Sequence, residues 1–537
     1  MHKPKILLIN PPQTYYEKSF PFNSYFPLGL LYVGTYVKNI CQVKILDCLI
    51  DNVEAKKKGV ATQYGSSLKH IKGVLKDFQP DIVGIASPFS SQSRNTLKIA
   101  SLVKQVNPKI ITVVGGPSAT VESDLYLNSN KTVDICVIGE GELTFHDIVK
   151  YYSSGHIKDI QTIQGIHYRN EGKIIRNQAR PLILNLDSLE IPDYSLIDSK
   201  RYLKDTLLYK NRSGISQNSI SVITSRGCPY GCVFCSVHLH MGRLYRAHSP
   251  KYIIKHLKRL ITTYGIRHFH FEDDNLTFDQ KRFERILDEI IKQKLRIQWD
   301  TPNGVRLDTL SKPLLRKAKR SGCVFLRIAI ESGSQQVINK IVHKGIRLDD
   351  AIKVASWCRE IGIPLGAFYV IGFPGETPED IQTTLSFALN LYKKFHVQPD
   401  IFVATPLIGT RLYQICRENK YMVYPTNNYY LSQATQLHGF HMIHTKEFDA
   451  NILDNLIQKY ERAYIPINKI IERVHVLENH PSHSVLIRSY NKIVLNLLKN
   501  IQSGFRFSLQ KVISVSDACL LMCWSVLKEK SFHLKKA

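Results

Sequence analysis

The first part of the chain alternates short apolar runs with longer amphipathic stretches. Between residues 5 and 155, apolar runs of strand length (KILLIN, VKILDC, DIVGIAS, KIITVVGG and DICVIGE) are separated by stretches of helical length near 27–39, 65–77, 92–106 and 141–154. Runs this apolar are typical of parallel strands that helices cover on both faces. The pattern predicts an α/β domain over residues 1–155, doubly wound, Rossmann-like and of the flavodoxin-like type.

The alternation stops after residue 155 and resumes after residue 215. Residues 156–215 contain a predicted β-hairpin at Glu171-Gly172 and then LDSLEIPDYSLID, which is typical of a linker. Residues 216–430 carry six further apolar runs with helical patterns between them, which predicts a partial (β/α)6 barrel of the TIM type. Residues 431–537 are expected to be mainly helical and basic, with nine Lys/Arg and two Asp/Glu from Val485 to Ala537.

Composition and charge narrow the class of protein without selecting a partner. The chain is 44% hydrophobic and 22% charged, as in globular proteins. Its formal net charge of +27 suits nucleic acid, an anionic membrane or an acidic small molecule equally well. The apolar run at the N-terminus is too short for a signal peptide, and the run Val512–Leu527 contains Asp517 and is too short for a membrane span. The number of cysteines, 11, is odd. We therefore expect a cytoplasmic protein in a reducing compartment.

Three cysteines form a compact motif in the stretch SRGCPYGCVFCS. Cys228, Cys232 and Cys235 directly follow the apolar run SISVITS, which places them on the first loop at the carboxyl end of the predicted barrel, where such folds carry their chemistry. A structural zinc site needs a fourth ligand, for which His238 and His240 are candidates, and inert buried cysteines conflict with the Gly and Pro between them. A four-iron cluster held by only three thiolates keeps one iron without a protein ligand. We favour this cluster.

The spacing CxxxCxxC, with an aromatic residue before the last cysteine, resembles the signature of the radical S-adenosylmethionine (SAM) superfamily. The resemblance extends over about residues 216–430 and implies that the open iron of a [4Fe-4S] cluster holds SAM, whose reductive cleavage gives a 5′-deoxyadenosyl radical. HFHFEDDNLTFD, LRIAIESGSQ and YVIGFPGET resemble the SAM-facing ends of later barrel strands. The residues that the resemblance assigns to SAM binding are Phe234, Glu272, Asp273, Asp274, Glu331, Ser332 and Gly372.

The first domain resembles the cobalamin (B12)-binding domain found ahead of a radical SAM barrel. No GxGxxG follows its first strand, which argues against a dinucleotide. By this resemblance the loop 139–142 faces the corrin and the residues that bind cobalamin are Pro12, Ser87, Gly115, Gly116, Pro117, Gly139 and Glu140. The motif DxHxxG is missing, so cobalt is expected without a protein histidine, and Ser118 stands where relatives often have His. A domain that has kept this fold but lost cobalamin is the alternative.

Two cofactors that serve one reaction should face one cavity. The resemblance implies methyl transfer from methylcobalamin to an unactivated carbon, or less often to phosphorus. The alternatives are ring formation or oxidation, as in anaerobic magnesium-protoporphyrin ester cyclases, and a sensor without turnover. The expected partners are a small-molecule or peptide substrate and an external one-electron reductant of the flavodoxin or ferredoxin type. No nucleic acid is expected, and the basic C-terminal region is a candidate for peripheral membrane contact.

Overall fold

The computed structural model describes residues 3–16, 26–129, 131–155, 157–203, 219–434 and 441–464. The chain divides into two compact units, Met1–Ile457 and Gln458–Ala537. The first unit contains both predicted α/β regions, and most of the predicted basic C-terminal region lies outside the described residues. No helix within these ranges is both long and apolar enough to cross a bilayer.

The secondary structure follows the predicted alternation through most of the first unit. The strands are β1 Lys5–Asn10, β2 Gln13–Tyr16, β3 Gln42–Asp47, β4 Val53–Lys58, β5 Ala61–Ser66, β6 Ile82–Ala86, β7 Ile111–Gly115, β8 Ile135–Val137, β9 Ile166–Asn170, β10 Lys173–Arg176, β11 Ser219–Val222, β12 Ser225–Arg226, β13 Arg246–Ala247, β14 His268–Phe271, β15 Gln298–Asp300, β16 Cys323–Glu331, β17 Leu365–Ile371 and β18 Gln398–Val403. The α-helices are α1 Leu28–Val37, α2 Leu68–Phe78, α3 Ser93–Val106, α4 Pro117–Val121, α5 Ser123–Asn128, α6 Gly141–Ser153, α7 Ser199–Leu203, α8 Val237–His240, α9 Pro250–Tyr264, α10 Gln280–Lys292, α11 Lys312–Arg320, α12 Leu348–Ile361, α13 Pro378–Phe395, α14 Arg411–Glu418, α15 Asn428–Ala434 and α16 Ala450–Tyr464.

The first sheet has the strand order β10-β9-β8-β7-β6-β1-β3 within the described residues. Strands β3, β1, β6, β7 and β8 are parallel, in the order of flavodoxin-like folds. The central strand β1 is covered on both faces, since Ile6 to Ile9 are at most 1% exposed. The predicted doubly wound domain is confirmed. Ligands of such sheets bind beyond the carboxyl ends of the strands at the point where the strand order reverses, here between β1 and β6.

The predicted hairpin at Glu171-Gly172 is confirmed, and it extends the first sheet. Glu171 and Gly172 have φ angles of 48° and 82°, as a two-residue hairpin turn requires, and they join the antiparallel strands β9 and β10. Strand β9 also pairs with β8 in the antiparallel sense. The predicted segment 156–215 therefore shares its hairpin with the first sheet, and the domain boundaries proposed from the sequence stay predictions.

A small antiparallel sheet, β2-β5-β4, was not predicted from the sequence. The pattern indicated a helix near 65–77, whereas α2 begins at Leu68, where the Ser67 side chain accepts a hydrogen bond from the His70 amide. Strand β4 (VEAKKK) is exposed along nearly its whole length. It therefore lacks the alternation of buried and exposed residues by which a strand is recognised in a sequence.

The second region forms the predicted partial barrel. Its strands are parallel in the order β11-β14-β15-β16-β17-β18 within the described residues. On β14, Phe271 packs against Trp299 of β15, and Phe283 of α10 contacts the same indole. His268 and His270 lie on the opposite face of β14, beside Asp300. The aromatic residues thus pack towards the helices and the histidines lie inside the barrel.

The stretch between the two sheets packs against both of them. Ile183, Leu186 and Leu189 form a buried cluster with Tyr32 of α1. A few residues later, the Tyr194 hydroxyl lies 3.2 Å from His256 Nε2 of α9. These contacts hold the first sheet and the barrel in one compact unit.

One glycine is essential to the strand pairing in the barrel. Gly322 connects α11 to β16 with φ of 104°, and a Cβ there would lie 2.0 Å from the Ile297 carbonyl oxygen. Gly362, which follows α12 with φ of 76°, would have open space around its Cβ. We expect Gly322→Ala to lower the midpoint of thermal unfolding at least about twice as much as Gly362→Ala. Both substitutions place a side chain on a left-handed residue, but only Gly322→Ala also brings a Cβ against a backbone carbonyl. Equal shifts, measured by circular dichroism, would contradict this assignment.

Candidate active site

The three predicted cluster ligands lie on a closed loop. Strands β12 and β13 pair in the antiparallel sense and bracket residues 227–245, the cluster loop. Gly227 begins the loop with φ of 81°, and a Cβ at this position would lie 2.4 Å from the Leu244 carbonyl oxygen. Cys228, Cys232 and Cys235 are free and partly exposed. The other described cysteines are buried, as packing residues are.

The arrangement of the thiols suits a cluster better than a single zinc ion. Within the described residues, the one trio of His, Cys, Asp or Glu ligand atoms lying within 4.8 Å of one another is His268, His270 and Asp300. At least one pair of the three thiols is therefore more than 4.8 Å apart, which is wider than one zinc ion allows, since Zn–S bonds of about 2.3 Å hold thiolates within about 4 Å of each other. The wider spacing leaves room for a cluster of several irons.

The surroundings of the thiols also fit a positively charged centre. Burial, together with the charges of Cys232 and Cys228, raises the pKa of the Cys235 thiol to about 12. Thiolates are therefore held here only when a cation replaces their protons. Asn275, which is 2% exposed, directs its Nδ2 at Cys228 Sγ over 3.7 Å. Hydrogen bonds to cluster sulfurs tune the reduction potential of a cluster, and no sequence pattern indicated this residue.

The acidic residues after β14 lie beside the start of the cluster loop. Asp273 is buried and accepts hydrogen bonds from the Thr224 amide, the Thr224 hydroxyl (2.7 Å) and the Ser225 hydroxyl (2.5 Å). Its carboxylate therefore fixes the segment that leads into the loop. Glu272 accepts a hydrogen bond from the Ser221 hydroxyl, and Asp274 from the Gly227 amide.

Of these three acids, Asp274 is the exposed one. The surrounding protein atoms still remove enough water to raise the pKa of its carboxyl to about 6. Asp274 is thus the acid of this segment that stays accessible to a ligand, and its contact with SAM stays a prediction.

The end of β16 is strained and carries a buried ion pair. Glu331 has φ of 72°, which is rare for a residue with a side chain, and the pairing of β16 with β17 shifts register there. Its carboxylate accepts a 2.6 Å hydrogen bond from Lys344, and both side chains are 6% exposed. The charge of Lys344 also lowers the pKa of Cys232, which burial otherwise raises. Arg306 donates to the Lys344 carbonyl and stacks on Tyr230 of the cluster loop.

The neighbouring Ser332 has its hydroxyl turned into the packing between strand and helix. Ser332 is fully buried, and its Oγ lies 2.8 Å from the Thr384 hydroxyl of α13. A Cβ on the following Gly333 would lie 2.6 Å from Phe387 Cβ, so this turn is tightly pressed against α13. The serine is near the predicted SAM site, but its side chain supports the turn.

The turn after β17 meets the cluster loop through aromatic packing. The rings of Phe234 and Phe373 are 5.7 Å apart, which brings Phe234 next to Gly372, whose φ is 83°. Glu376 accepts a 2.7 Å hydrogen bond from the Phe373 amide and is fully buried. Burial raises the pKa of its carboxyl to about 8, although the Phe373 and Gly372 amides act in the opposite direction. The turn is thus held by a carboxyl group that is mainly protonated at neutral pH.

The residues assigned to cobalamin lie at the carboxyl ends of the strands of the first sheet, after β1, β6, β7 and β8. Gly116 has φ of 111°, and a Cβ there would lie 2.9 Å from the Ser87 carbonyl oxygen, so only glycine lets the segments ending β6 and β7 approach this closely. Pro117 begins α4 directly behind it. Pro12, which follows β1, is buried against Gly65. The crevice therefore offers a backbone-lined surface, while Gly115 keeps the end of β7 free of a side chain.

The hydroxyl groups behind this crevice are hydrogen-bonded to a buried tyrosine. The Tyr126 hydroxyl lies 2.5 Å from Ser87 Oγ and 2.7 Å from Ser118 Oγ. Ser118 also donates to Glu122. The serine that stands in place of the expected histidine thus supports the loop from within. Cobalamin contacts are accordingly expected from the backbone at Ser87 and Gly116.

The predicted corrin-facing loop is joined to the cluster loop. The Glu140 side chain is only 5% exposed and accepts hydrogen bonds from Arg226 (2.8 Å), Arg246 (2.6 Å) and the Ile183 amide (2.9 Å). Burial alone would raise the pKa of Glu140, but the hydrogen bond from Arg246 and the charge of Arg226 keep it below its usual range. Both carboxylate oxygens are engaged, so contact with a corrin is better expected from the backbone of Gly139.

The buried trio inside the barrel is best explained as a hydrogen-bonded group. His268 Nε2 and His270 Nδ1 contact different oxygens of Asp300, at 3.1 and 2.7 Å. These bonds keep the pKa of Asp300 near 2 despite burial. His268 Nδ1 has no hydrogen-bond partner among the described residues, whereas a metal-bound histidine usually donates its second N–H to an acceptor.

Several residues at the site were not assigned roles from the sequence: Arg226, Asn275, Lys344 and Glu376. Arg226 and Lys344 are basic residues buried in or beside apolar segments. A buried charge needs a partner, which is the signal that could have indicated them. The identity of the partner depends on the tertiary structure.

Comparison with known proteins identifies the family. The Radical SAM superfamily matches residues 222–388, and the B12 binding domain matches residues 22–149. An uncharacterized methyltransferase of Pyrococcus horikoshii is 32% identical over 420 residues, which cover 78% of this chain and 84% of that protein. The chain belongs to the radical SAM proteins that carry a B12-binding domain. It is a radical SAM enzyme whose cofactors are a [4Fe-4S] cluster, SAM and cobalamin, which leaves the sensor hypothesis without support.

Other relatives in this family have more specific names. Cytidylyl-2-hydroxyethylphosphonate methyltransferase of Streptomyces wedmorensis is 28% identical over 446 residues, covering 77% of this chain and 81% of that protein. An anaerobic magnesium-protoporphyrin IX monomethyl ester cyclase of Cereibacter sphaeroides is 27% identical over 352 residues, covering 64% of this chain and 54% of the cyclase.

Solved structures of radical SAM enzymes share the fold. The methyltransferase TsrM of Kitasatospora setae, with cobalamin and a [4Fe-4S] cluster bound, has a TM-score of 0.63 at 16% identity, covering 79% of this chain and 80% of TsrM. The cobalamin-dependent enzyme OxsB, with aqua-cobalamin and SAM bound, has a TM-score of 0.66 at 16% identity, covering 93% of this chain and 72% of OxsB. These likenesses confirm the predicted fold.

Replacing any one ligand of the cluster should abolish its assembly. We expect Cys232→Ala to reduce iron and sulfide in anaerobically reconstituted protein to background and to stop 5′-deoxyadenosine formation, because two thiolates cannot hold the cube. The control is Cys358→Ala, which removes a buried thiol of α12. Iron retained in Cys232→Ala, or lost equally in the control, would contradict the assignment.

Glu376 should make stability depend on pH. Its folded pKa of about 8 exceeds that of an unfolded glutamate, about 4.3, so the folded state binds more protons between these values. Stability should therefore fall as pH rises through this window and level off above it. As the pH is raised from about 5 to about 8, we expect the thermal midpoint of the wild-type apoprotein to decrease more than the midpoint of Glu376→Gln. Parallel curves would show that Glu376 ionises normally.

Proposed function

We propose that the protein transfers a methyl group from methylcobalamin to an unactivated carbon of its substrate. The observation that carries this proposal is the buried contact between the cluster loop and the loop 139–142, expected to face the corrin. Such a contact suits a reaction in which SAM and cobalamin act on one substrate. The similarity covers most of the length of the two methyltransferase relatives but only about half of the cyclase, which favours methyl transfer.

The residues of this chain would supply binding and orientation. Cys228, Cys232 and Cys235 would hold three irons of the cluster, and Phe234 with Gly372 would border the site for SAM. When bound, the cofactors would supply the difficult chemistry: reductive cleavage of one SAM would give the radical that removes a substrate hydrogen atom, and methylcobalamin would provide the methyl group. A second SAM and a second electron would then restore methylcobalamin.

The two electrons must come from outside the chain. We infer an external one-electron reductant of the flavodoxin or ferredoxin type, a small-molecule or peptide substrate, and a cytoplasmic location. A phosphorus acceptor is the less favoured variant. Peripheral membrane contact through residues 431–537 stays a prediction, since most of that region lies outside the described residues.

Ring formation or oxidation without methyl transfer is the second candidate, favoured by the similarity to the magnesium-protoporphyrin ester cyclase. The two candidates differ in their use of SAM. A methyltransferase must remethylate its cobalamin and therefore releases S-adenosylhomocysteine, whereas a cyclase has no need of this step.

This difference can be measured before the substrate is known. We expect anaerobically reconstituted protein, supplied with reduced cobalamin and SAM deuterated in its methyl group, to form S-adenosylhomocysteine and deuterated methylcobalamin faster than free cobalamin does. With a substrate, the same label should appear in the product, detected by mass spectrometry. Formation of 5′-deoxyadenosine together with a cyclised or oxidised product, and no S-adenosylhomocysteine, would favour the cyclase.

A further inference from the structure

Four charged side chains form a buried network between the first sheet and the barrel. Arg226 donates from Nη1 to Glu140 (2.8 Å) and from Nη2 to Glu142 (2.6 Å), while Arg246 donates to the other oxygen of Glu140 (2.6 Å). The four side chains are only 2–7% exposed. Two positive and two negative charges make the network neutral as a whole.

The network lies where the two loops meet. Arg226 and Arg246 are opposite each other in the pair β12–β13, which closes the base of the cluster loop. Glu140 and Glu142 flank the start of α6, directly after the glycine of the predicted corrin-facing loop. The loops also touch elsewhere, since a Cβ on Gly139 would lie 3.8 Å from the His240 carbonyl oxygen.

The geometry is specific to arginine. One guanidinium group of Arg226 spans two carboxylates from different positions, which the single ammonium group of lysine cannot do in the same way. The Arg226 guanidinium carbon also lies 5.1 Å from the centre of the Tyr32 ring on α1. Arg246 makes further bonds, to the carbonyl oxygens of Ile183 and Met241. Removing one charge would leave a partner buried and unpaired, which is costly.

We propose that Arg226 and Arg246 are positioning residues that, acting through Glu140 and Glu142, hold the corrin-facing loop at a fixed distance from the cluster loop. This inference rests on the proposed methyl transfer, for which it names the residues that couple SAM cleavage to methylation. Without the network, the hydrogen atom is still removed from the substrate, but the methyl donor is misplaced. A shift of about 1 Å can cost on the order of a hundredfold in rate.

Two variants separate positioning from folding. Arg226→Met leaves Glu142 unpaired and is expected to destabilise the fold. The double variant Arg226→Met/Glu142→Gln removes one positive and one negative charge, so the remaining Arg246–Glu140 pair is neutral. The control is Arg176→Met, which breaks an exposed pair with Asp124 in the first domain, where the side chains are 52% and 55% exposed.

The experiment has one readout on apoprotein and one on reconstituted enzyme. In apoprotein of the double variant, we expect amide hydrogen exchange to rise in residues 139–142 and 227–245 and to stay unchanged in the control. In reconstituted enzyme, the double variant should retain iron and cobalamin. The amount of methylated product formed per 5′-deoxyadenosine should be roughly tenfold or more lower than in the wild-type enzyme.

Each outcome has a distinct meaning. Unchanged exchange and an unchanged product ratio in the double variant would overturn the positioning role. Loss of iron in the double variant would also overturn it, because the network would then support the cluster itself. If the wild-type protein forms no methylated product, the proposed function fails, and the exchange measurement alone decides whether the network holds the two loops together.

Discussion

The structure depends on the neutralisation of charge between two α/β layers. Arg226 and Arg246 lie at the base of the cluster loop, and Glu140 and Glu142 lie at the edge of the first sheet. None of these groups tolerates burial alone, because an unpaired charge away from water is strongly unfavourable. The loops that carry them must therefore face each other. The relative position of the two loops that are proposed to border the cofactors is thus tied to an electrostatic requirement of the protein itself.

Three buried acids at the carboxyl ends of barrel strands are stabilised in different ways. Asp273 is satisfied by hydrogen bonds from Thr224 and Ser225, Glu331 by an ion pair with Lys344, and Glu376 by keeping its proton. Each solution fixes a turn at the carboxyl end of a strand. Asp274 is the acid of this end that stays both exposed and closely surrounded. Residues that resemble a ligand-binding motif can thus serve mainly to shape the site.

In the first sheet, too, some residues shape the site while others leave room for a ligand. Gly116 allows the segments after β6 and β7 to approach, and hydrogen bonds between the Tyr126 hydroxyl and the hydroxyls of Ser87 and Ser118 stiffen the loop from behind. A backbone-lined crevice at the reversal of strand order suits a large flat cofactor without a side-chain ligand. Ser118, which stands where relatives often have histidine, therefore stabilises the loop through Tyr126 instead of facing the crevice.

The alternation of strands and helices, the two α/β regions and the three-cysteine motif could be predicted from the amino-acid sequence. Apolar runs and a short motif such as Cys228-x3-Cys232-x2-Cys235 are local patterns, so they can be recognised without knowing the fold. The small sheet β2-β5-β4 was missed because β4 is exposed and β2 and β5 are half-buried along most of their length, so none of them alternates between buried and exposed residues. The partners of Arg226, Glu331 and Ser332 were decided only by the tertiary structure. The physical reason is that a buried charge or hydroxyl is satisfied by whatever group the fold brings within about 3 Å, irrespective of distance along the chain.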